Sequence, residues 1–255
     1  MDRWAGALLL AGCFQATAPL GAPCAQNGAC PEGQVCDHGR SPPACVDHLQ
    51  DASPPDAPAG PTLTISGTVE VGAKPIAGAS VAAFAQVDET TALDDTTTND
   101  QGAFALRAPS PFDGFLLVTE PGYVASYSYP ADVLVDDLAN VGMPLVTQET
   151  LDALYQATGV GDETHAQIGL AVRDAATRPV AGVAVYCDPP AIDKYNRNSI
   201  PDKVATTTDT DGIAYLLDAA PDARVAVGAP GFKAHEVTAR RGTLTITLLA
   251  ALPGQ

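Results

Sequence analysis

The sequence predicts an all-β protein made of two β-sandwiches in tandem, and an internal repeat is the first observation behind that fold class. Residues 74–81 read KPIAGASV, and residues 178–185 read RPVAGVAV. Downstream of them, TTTNDQG at 96–102 is echoed by TTTDTDG at 206–212. The two echoes are offset by 104 and 110 residues, so one structural unit is written twice with small loop insertions.

The second observation is a period-two alternation of apolar and polar residues around these motifs. Leu63, Ile65 and Val69 share one parity, as in a strand with one buried face. Gly and Pro turns separate about seven such runs in some 85 residues, which indicates a sandwich. Strands are predicted at 63–70, 79–83, 104–106, 114–119, 122–129 and 132–138, and again at 168–173, 183–187, 213–217, 225–227 and 243–248.

The repeated motifs themselves are turn chemistry. In the first copy Pro75 fixes φ and Gly78 admits a positive φ. Residues 99–102 and 209–212 are predicted to be hairpin turns, whose Asn and Asp side chains bond the local backbone. The sequence DTDG at 209–212 is also how an EF-hand calcium loop can begin, but Ala220 stands where that loop needs a Glu.

In combination, these motifs resemble the carboxypeptidase regulatory-like domain over most of residues 62–250. The matches in the first copy are Gly67, Pro75, Gly78, Val81, Thr98, Gly102, Phe104, Gly122 and Tyr123. The matches in the second copy are Gly169, Pro179, Gly182, Val185, Thr208, Gly212, Tyr215 (shifted by one place) and Phe232. The resemblance implies two transthyretin-like, seven-stranded Greek-key sandwiches, at 62–146 and 165–250.

The N-terminus resembles a bacterial lipoprotein signal. An apolar run at 4–10 leads into LAGC at 10–13, and it is far shorter than the roughly 20 residues that span a bilayer. The resemblance implies a signal peptide at 1–12, removed before Cys13, and a lipid on the sulfur of that residue. The expected location is the cell envelope, and Phe14 in the next position favours the outer membrane of a Gram-negative bacterium.

A cysteine-rich module is predicted at 24–46, between a tether at 13–23 and a Pro/Asp/Ala-rich linker at 47–61. So short a segment cannot bury enough apolar surface to fold unaided, and two disulfides would supply the constraint. Three pairings remain open. A zinc site is the alternative, but the cysteines lack the close Cys-x-x-Cys spacing of structural zinc. The four cysteines are Cys24, Cys30, Cys36 and Cys45.

The segment 147–164 between the sandwiches is predicted to be a helical connector. Thr147 can cap a helix, and Leu151, Leu154 and Tyr155 have helical spacing. Gly159 is placed to end it.

Composition argues against several functional classes. The net charge is −17, with 30 acidic and 13 basic residues, so nucleic acid is not an expected partner. The chain carries no serine-hydrolase, zinc-protease or phosphate-binding motif. Its four histidines, at 38, 48, 165 and 235, have no metal-ligand spacing. Cys187 shares parity with Val183 and Val185 and is expected to be a buried, inert thiol.

One loop has an alternation of oxygen-bearing side chains that resembles an extracellular calcium repeat. Its candidate ligands are Asp193, Asn196, Asn198 and Asp202. Lys194 stands where the first Asp belongs, and Ser199 replaces the Gly. We therefore favour a structural loop, and no other cofactor is predicted.

These observations predict a non-catalytic envelope lipoprotein that acts as a surface binding, adhesion or structural module. A polysaccharide or another envelope protein is the expected partner. The alternative is an accessory subunit that positions a separate enzyme or transporter. A ligand-contacting patch of Tyr123, Tyr127 and Tyr129 would favour the binding or adhesion module over the accessory subunit, although the three could equally be ordinary strand residues.

Overall fold

The computed structural model describes residues 24–25, 30, 34–37, 43–47, 60–161 and 164–252. The chain divides into two compact units, Met1–Ala59 and Gly60–Gln255. Both sandwiches belong to the second unit.

The described elements are eighteen strands and one helix. In the first unit they are β1 (Gln34–Asp37) and β2 (Ala44–Asp47). In the first copy they are β3 (Thr62–Val71), β4 (Lys74–Pro75), β5 (Ser80–Ala85), β6 (Asp88–Thr97), β7 (Ala103–Pro109), β8 (Gly114–Thr119), β9 (Ser126–Tyr129) and β10 (Leu138–Pro144). After the helix α1 (Gln148–Thr158), the second copy has β11 (Ala166–Arg173), β12 (Tyr186–Asp188), β13 (Ile192–Arg197), β14 (Ile200–Asp202), β15 (Ile213–Ala219), β16 (Ala223–Gly228), β17 (His235–Ala239) and β18 (Leu244–Ala250).

The first unit contains a two-stranded hairpin with two disulfide bonds. Strands β1 and β2 pair antiparallel, with Cys36 opposite Cys45. The bonds join Cys24 to Cys36 and Cys30 to Cys45. The structure thus selects one of the three pairings that the sequence left open.

Each copy consists of two sheets with the same connections. In the first copy, β3 pairs in parallel with β10 and antiparallel with β7, while β8 pairs antiparallel with β5 and β9. In the second, β11 pairs in parallel with β18 and antiparallel with β15, while β16 pairs antiparallel with β12 and β17. The predicted all-β class and the tandem sandwiches are confirmed.

The copies differ in one segment, which lies between β5 and β7 in the first copy and between β12 and β15 in the second. In the first copy this segment is β6, which pairs with β5 and widens one sheet. In the second copy it is the hairpin β13–β14, which pairs with β15 and widens the other sheet. Each copy therefore adds its extra strands to a different side of the sandwich.

One sheet of each copy is joined to the other in a continuous nine-stranded sheet. Strand β9 of the first copy pairs in parallel with β18 of the second, from Ser126 opposite Leu244 to Tyr129 opposite Thr247. The strand order is β14-β13-β15-β11-β18-β9-β8-β5-β6.

Two hydrophobic clusters fill the sandwiches. One consists of first-copy residues and includes Ile65 and Met143. The other is built mainly from the second copy, around side chains such as Leu170, but it also takes Phe115 and Tyr129 from the first copy. The cores are separate, and the second depends in part on the first copy.

A threonine holds the repeated Pro-x-Ala-Gly turn in each copy. The Thr98 hydroxyl donates to the Ile76 carbonyl at 2.7 Å and accepts from the Ala79 amide at 3.0 Å. Thr208 makes the equivalent two hydrogen bonds at the same distances. Both threonines are buried, so these bonds satisfy backbone groups that have little access to water. The repeated sequence therefore encodes a repeated clamp.

The glycine that ends each repeated hairpin turn is required by both conformation and space. Gly102 has φ +70° and Gly212 has φ +67°. A Cβ at either position would lie 2.6 Å from a carbonyl oxygen, that of Val69 or that of Val172 respectively. The predicted turns are confirmed in both copies.

The helical connector begins and ends as predicted. Thr147 is the N-cap, its side chain accepting from the Thr150 amide, and Gly159 closes the helix in the left-handed conformation. Leu151 is buried.

The predicted strand at 132–138 is wrong. The segment makes an isolated bridge between Leu134 and Phe112, and the next strand, β10, begins at Leu138. The carboxylate of Asp137 instead accepts a hydrogen bond from the Thr64 amide at 2.7 Å. The Asp137 side chain therefore binds a backbone amide of β3. The alternation of apolar and polar residues, from which the strand was predicted, does not reveal such a bond.

Residues 162–255 expressed alone are expected to fold as a β-rich unit, because the second copy has its own two sheets and most of its core. Without Phe115, Tyr129 and the β9 partner, this fragment should be less stable than the same copy in the full chain. Amide dispersion in NMR spectra and urea denaturation measure both properties. A disordered fragment would show that the repeats fold only as one cooperative unit.

Candidate functional site at the joint between the copies

Arg240 lies at the centre of the contact between the two copies. We call this region the joint: the β9–β18 pairing together with Glu89, Phe115, Thr238 and Arg240. The guanidinium carbon of Arg240 lies 4.7 Å from the ring centre of Phe115 and 4.0 Å from that of Tyr127. Both rings belong to the first copy. Such cation–π contacts contribute about 0.5–2 kcal/mol, with the larger values where water is excluded, and the arginine side chain is only 13% exposed.

The same guanidinium makes directed hydrogen bonds to the first copy. It donates to Glu89 Oε2 at 2.7 Å and to the Tyr129 hydroxyl at 2.9 Å. Thr238 donates to the other Glu89 oxygen at 3.0 Å. Burial by itself would lower the pKa of Arg240, but its bonds to Tyr129 and Glu89 outweigh that effect and raise it. The joint therefore holds a permanent cation.

The three candidate tyrosines do not form one exposed patch. Tyr127 lies beneath Arg240, and Tyr129 is 3% exposed in the second-copy core. Tyr123 is partly buried against the core of the first copy. Burial raises the pKa of Tyr127. The alternative interpretation, ordinary strand and packing residues, fits this placement.

A cleft with a volume of about 250 Å³ lies beside the joint and is lined by both copies. Its lining residues are Gln86, Asp113, Gly114, Tyr129, Pro130, Ala131, Asp132, Val133, Lys233, His235 and Glu236. The Lys233 ammonium contacts the Asp132 carboxylate, and this hydrogen bond lowers the pKa of Asp132. Most of the side chains that line the cleft are charged or can form hydrogen bonds.

The calcium-like loop is a β-hairpin. Asn198 and Ser199 form its two-residue turn with φ +52° and +60°, values suited to a type I′ hairpin turn. The buried hydroxyl of Tyr195 accepts the Val185 amide at 3.0 Å, and burial raises the pKa of Tyr195 to about 12. A phenol thus attaches the hairpin to the sandwich.

Two of the four candidate calcium ligands, Asn196 and Asn198, line one pocket, whereas Asp193 and Asp202 are not among its lining residues. Since side chains alternate along a strand, Asp193 and Asn196 point to opposite faces of β13. The Asn196 amide donates to Asp211 at 2.6 Å, and the Asn198 backbone donates to a different carboxylate, that of Asp209.

Asp202 is engaged elsewhere. Its carboxylate accepts the amides of Val204 and Ala205 at 2.8 and 2.7 Å, and these bonds lower its pKa. Calcium binding by this loop stays a prediction that only a metal titration tests.

The predictions for the cysteines have different outcomes. Cys187 is buried, as predicted, and burial raises the pKa of its thiol. Among the described residues, the Sγ atoms of Cys24, Cys30 and Cys36 lie within 4.8 Å of one another. They are in disulfides, which lack the thiolate charge that binds zinc. Cys13 lies outside the described residues.

Sequence reasoning did not single out Arg240, Glu89 or His235 as site residues. The sequence feature that could have drawn attention to Arg240 is the pair Arg240-Arg241, the densest basic cluster of an acidic chain. Nothing local to Glu89 marks it, because its partner lies 151 positions away.

No helix in the described parts of the chain is both long and apolar enough to cross a membrane.

Comparison with known proteins gives no family assignment. No family model matches the chain, and no curated protein matches it. Similar solved structures include the Bacillus anthracis TIE protein, at 11% identity and a TM-score of 0.27 over 75% of this chain. The chain spans 34% of the length of that protein.

Two further similar structures are pilins. The shaft pilin spaA from Lactobacillus rhamnosus GG shows 13% identity and a TM-score of 0.26, over 76% of this chain and 100% of that one. The Streptococcal ancillary pilin shows 12% identity and a TM-score of 0.24, over 76% of this chain and 70% of that one.

Replacing Arg240 should weaken the joint measurably. Arg240→Met keeps the length of the side chain but leaves Glu89 without its cation, and we expect the free energy of unfolding to fall by about 2 kcal/mol. Arg241→Met is the matched control, because Arg241 is exposed, and it should change stability by no more than about 0.5 kcal/mol. Urea denaturation of both variants measures the difference. Equal effects would contradict a special role for Arg240.

Calcium should leave the melting temperature unchanged, because Asn196 and Asp202 are already engaged in hydrogen bonds and Asp193 points to the face of β13 opposite to Asn196. Differential scanning calorimetry of the wild type and of Asp202→Ala, with millimolar Ca²⁺ or with a chelator, measures this. A stabilisation by Ca²⁺ that Asp202→Ala abolishes would overturn the structural interpretation of the hairpin.

Proposed function

We propose that this chain is a non-catalytic, lipid-anchored protein of the bacterial cell envelope, acting as a surface binding, adhesion or structural module. The joint is the observation that carries the proposal. Domains joined only by a linker are expected to move relative to each other. Here four paired backbone positions and a partly buried arginine hold the two sandwiches together, so the second unit is suited to present a surface at a fixed geometry.

The chemistry of the described side chains supports a non-catalytic role. A nucleophilic cysteine needs a lowered pKa and access to substrate, whereas Cys187 is buried and its pKa is raised. The His235 ring is hydrogen-bonded to a threonine of the joint. Arg240, the charged group with the most directed contacts in the joint, is used to hold the two copies together.

The charge of the two copies constrains the partner. Residues 62–146 carry eleven acidic side chains and two basic ones, Lys74 and Arg107. Residues 165–250 carry nine of each sign. The acidic first copy is repelled by phosphate-rich surfaces, so a polysaccharide without strong negative charge or an envelope protein is the partner we propose.

The alternative is an accessory subunit that positions a separate envelope enzyme or transporter. The stiffness of the joint supports this function as well, because positioning requires a fixed geometry. Sedimentation with purified peptidoglycan sacculi tests polysaccharide binding. Cross-linking in intact cells followed by purification tests for a bound enzyme or transporter. Sedimentation without a cross-linked enzyme favours the module, and the reverse favours the accessory subunit.

Lipid attachment at Cys13 tests the anchored location. Each buried CH₂ contributes about 0.8 kcal/mol and a single chain binds only marginally, so two or more chains should hold the protein stably on a membrane. Cys13→Ala should abolish both fatty-acid labelling and processing of the precursor. Labelling cells with a clickable fatty acid and comparing the proteins on a gel measures this.

Cys24→Ala is the matched control, since it removes a cysteine that forms a disulfide with Cys36. Its labelling should equal that of the wild type. An unlabelled wild-type protein, expressed from its verified start codon, would contradict the proposed lipid attachment.

A further inference from the structure

A chain of hydrogen bonds crosses the joint from a histidine side chain. The Nε2 atom of His235, on β17, lies 2.6 Å from the Thr247 hydroxyl on β18. That hydroxyl lies 3.1 Å from the backbone carbonyl of Tyr129 on β9. Thr247 and Tyr129 are directly opposite each other in the β9–β18 pairing, and they are 2% and 3% exposed.

The protons in this chain can be assigned by elimination. A carbonyl oxygen only accepts, so the Thr247 hydroxyl gives its one proton to Tyr129. The hydroxyl oxygen must then accept from His235, which places a proton on Nε2. In the neutral ring the other nitrogen, Nδ1, carries none. That nitrogen is buried and has no hydrogen-bond partner in the structure, so the neutral form fits the site.

The surroundings of His235 oppose a second proton. Burial is the main cause that lowers the pKa of this histidine, and the Lys233 ammonium acts in the same direction. The Lys233 backbone and the Asp132 carboxylate act in the opposite direction. Asp132 is already paired with Lys233. The other titratable groups of the same cleft are Asp113, Tyr129 and Glu236.

We propose that His235 makes the joint acid-sensitive: protonation of its ring places a second cation beside Lys233 and loosens the β9–β18 pairing while both sandwich cores stay folded. The imidazole lies beside the joint, and it is the kind of side chain whose ordinary pKa is nearest to neutrality. The Arg240 contacts remain charged throughout that range, and the hydrogen bonds from Nε2 through Thr247 to Tyr129 persist. The response therefore depends on the second proton, which is added at the buried and unpartnered Nδ1 atom.

The sign of the effect follows from the direction of the pKa shift. The pKa of His235 in the closed joint lies below the value of about 6.5 expected when the joint opens. The opened form therefore binds a proton more readily. The joint has its full stability above about pH 6.5 and loses it progressively as the pH falls toward the lowered value. Carboxylates with pKa values near 4 do not titrate in this window.

Hydrogen exchange of the full chain at pH 7.5 and 5.5 tests the proposal locally. After correction for the intrinsic exchange rate, protection of the β9–β18 amides should fall at pH 5.5 by at most about tenfold, because the opened form titrates only about one unit above this pH. Protection of the β3–β7 amides should not change. The variant His235→Gln keeps an amide donor for Thr247 and should remove the fall, whereas His165→Gln, at a histidine whose side chain is 42% exposed, should retain it.

An undiminished fall in His235→Gln would overturn the proposal, as would the absence of any fall in the wild type. If His235→Gln does not fold, an NMR titration of the wild-type ring decides the matter. A midpoint for His235 below 6.5 together with the loss of joint protection supports the proposal, and a midpoint at or above 6.5 refutes it.

Discussion

The pairing of β9 with β18 is the interaction on which the rest of the second unit depends. Each sandwich leaves the edge of a sheet with unpaired backbone groups, and such edges must be covered or blunted. Strand β9 ends one sheet of the first copy, and β18 ends one sheet of the second. By pairing, they satisfy both edges at once. The hairpin β13–β14 makes this possible because it widens the second-copy sheet on the side away from β18.

The repeat explains each sandwich but not the joint. An offset of 109 residues, which relates Pro121 to Pro230, also relates β8 to β16 and β9 to β17. By this offset Arg240 corresponds to Ala131, and Tyr127 corresponds to Glu236. The side chains that hold the joint are therefore absent at the reciprocal positions. Repeated residues build the fold twice, and unrepeated residues join the two copies once.

This division also shows how much the sequence could predict. The turns around Thr98 and Thr208, the helix caps and most strands follow from local patterns, because their partners lie within about one hairpin. The joint depends on pairs such as Glu89 and Arg240, which are 151 residues apart and carry no local signature. The tyrosines were found by their spacing, but alternation cannot show that Arg240 covers one of them. Likewise, the polarity of the loop at 193–202 is visible in the sequence, whereas its attachment to the sandwich through the Tyr195 hydroxyl is not.

The side chains at and beside the joint differ in how they respond to pH. A purely apolar contact between the sandwiches would respond little to pH, because it contains no group that titrates. This joint contains a partly buried cation held by aromatic rings and one carboxylate, and beside it lies a histidine that is hydrogen-bonded to a residue of the strand pairing. An arginine keeps its charge at every physiological pH, so it gives constant cohesion. A histidine, by contrast, can gain or lose its charge within the physiological pH range. The contacts of Arg240 therefore give the joint a constant cohesion, and the pH response that we propose is confined to the histidine beside it.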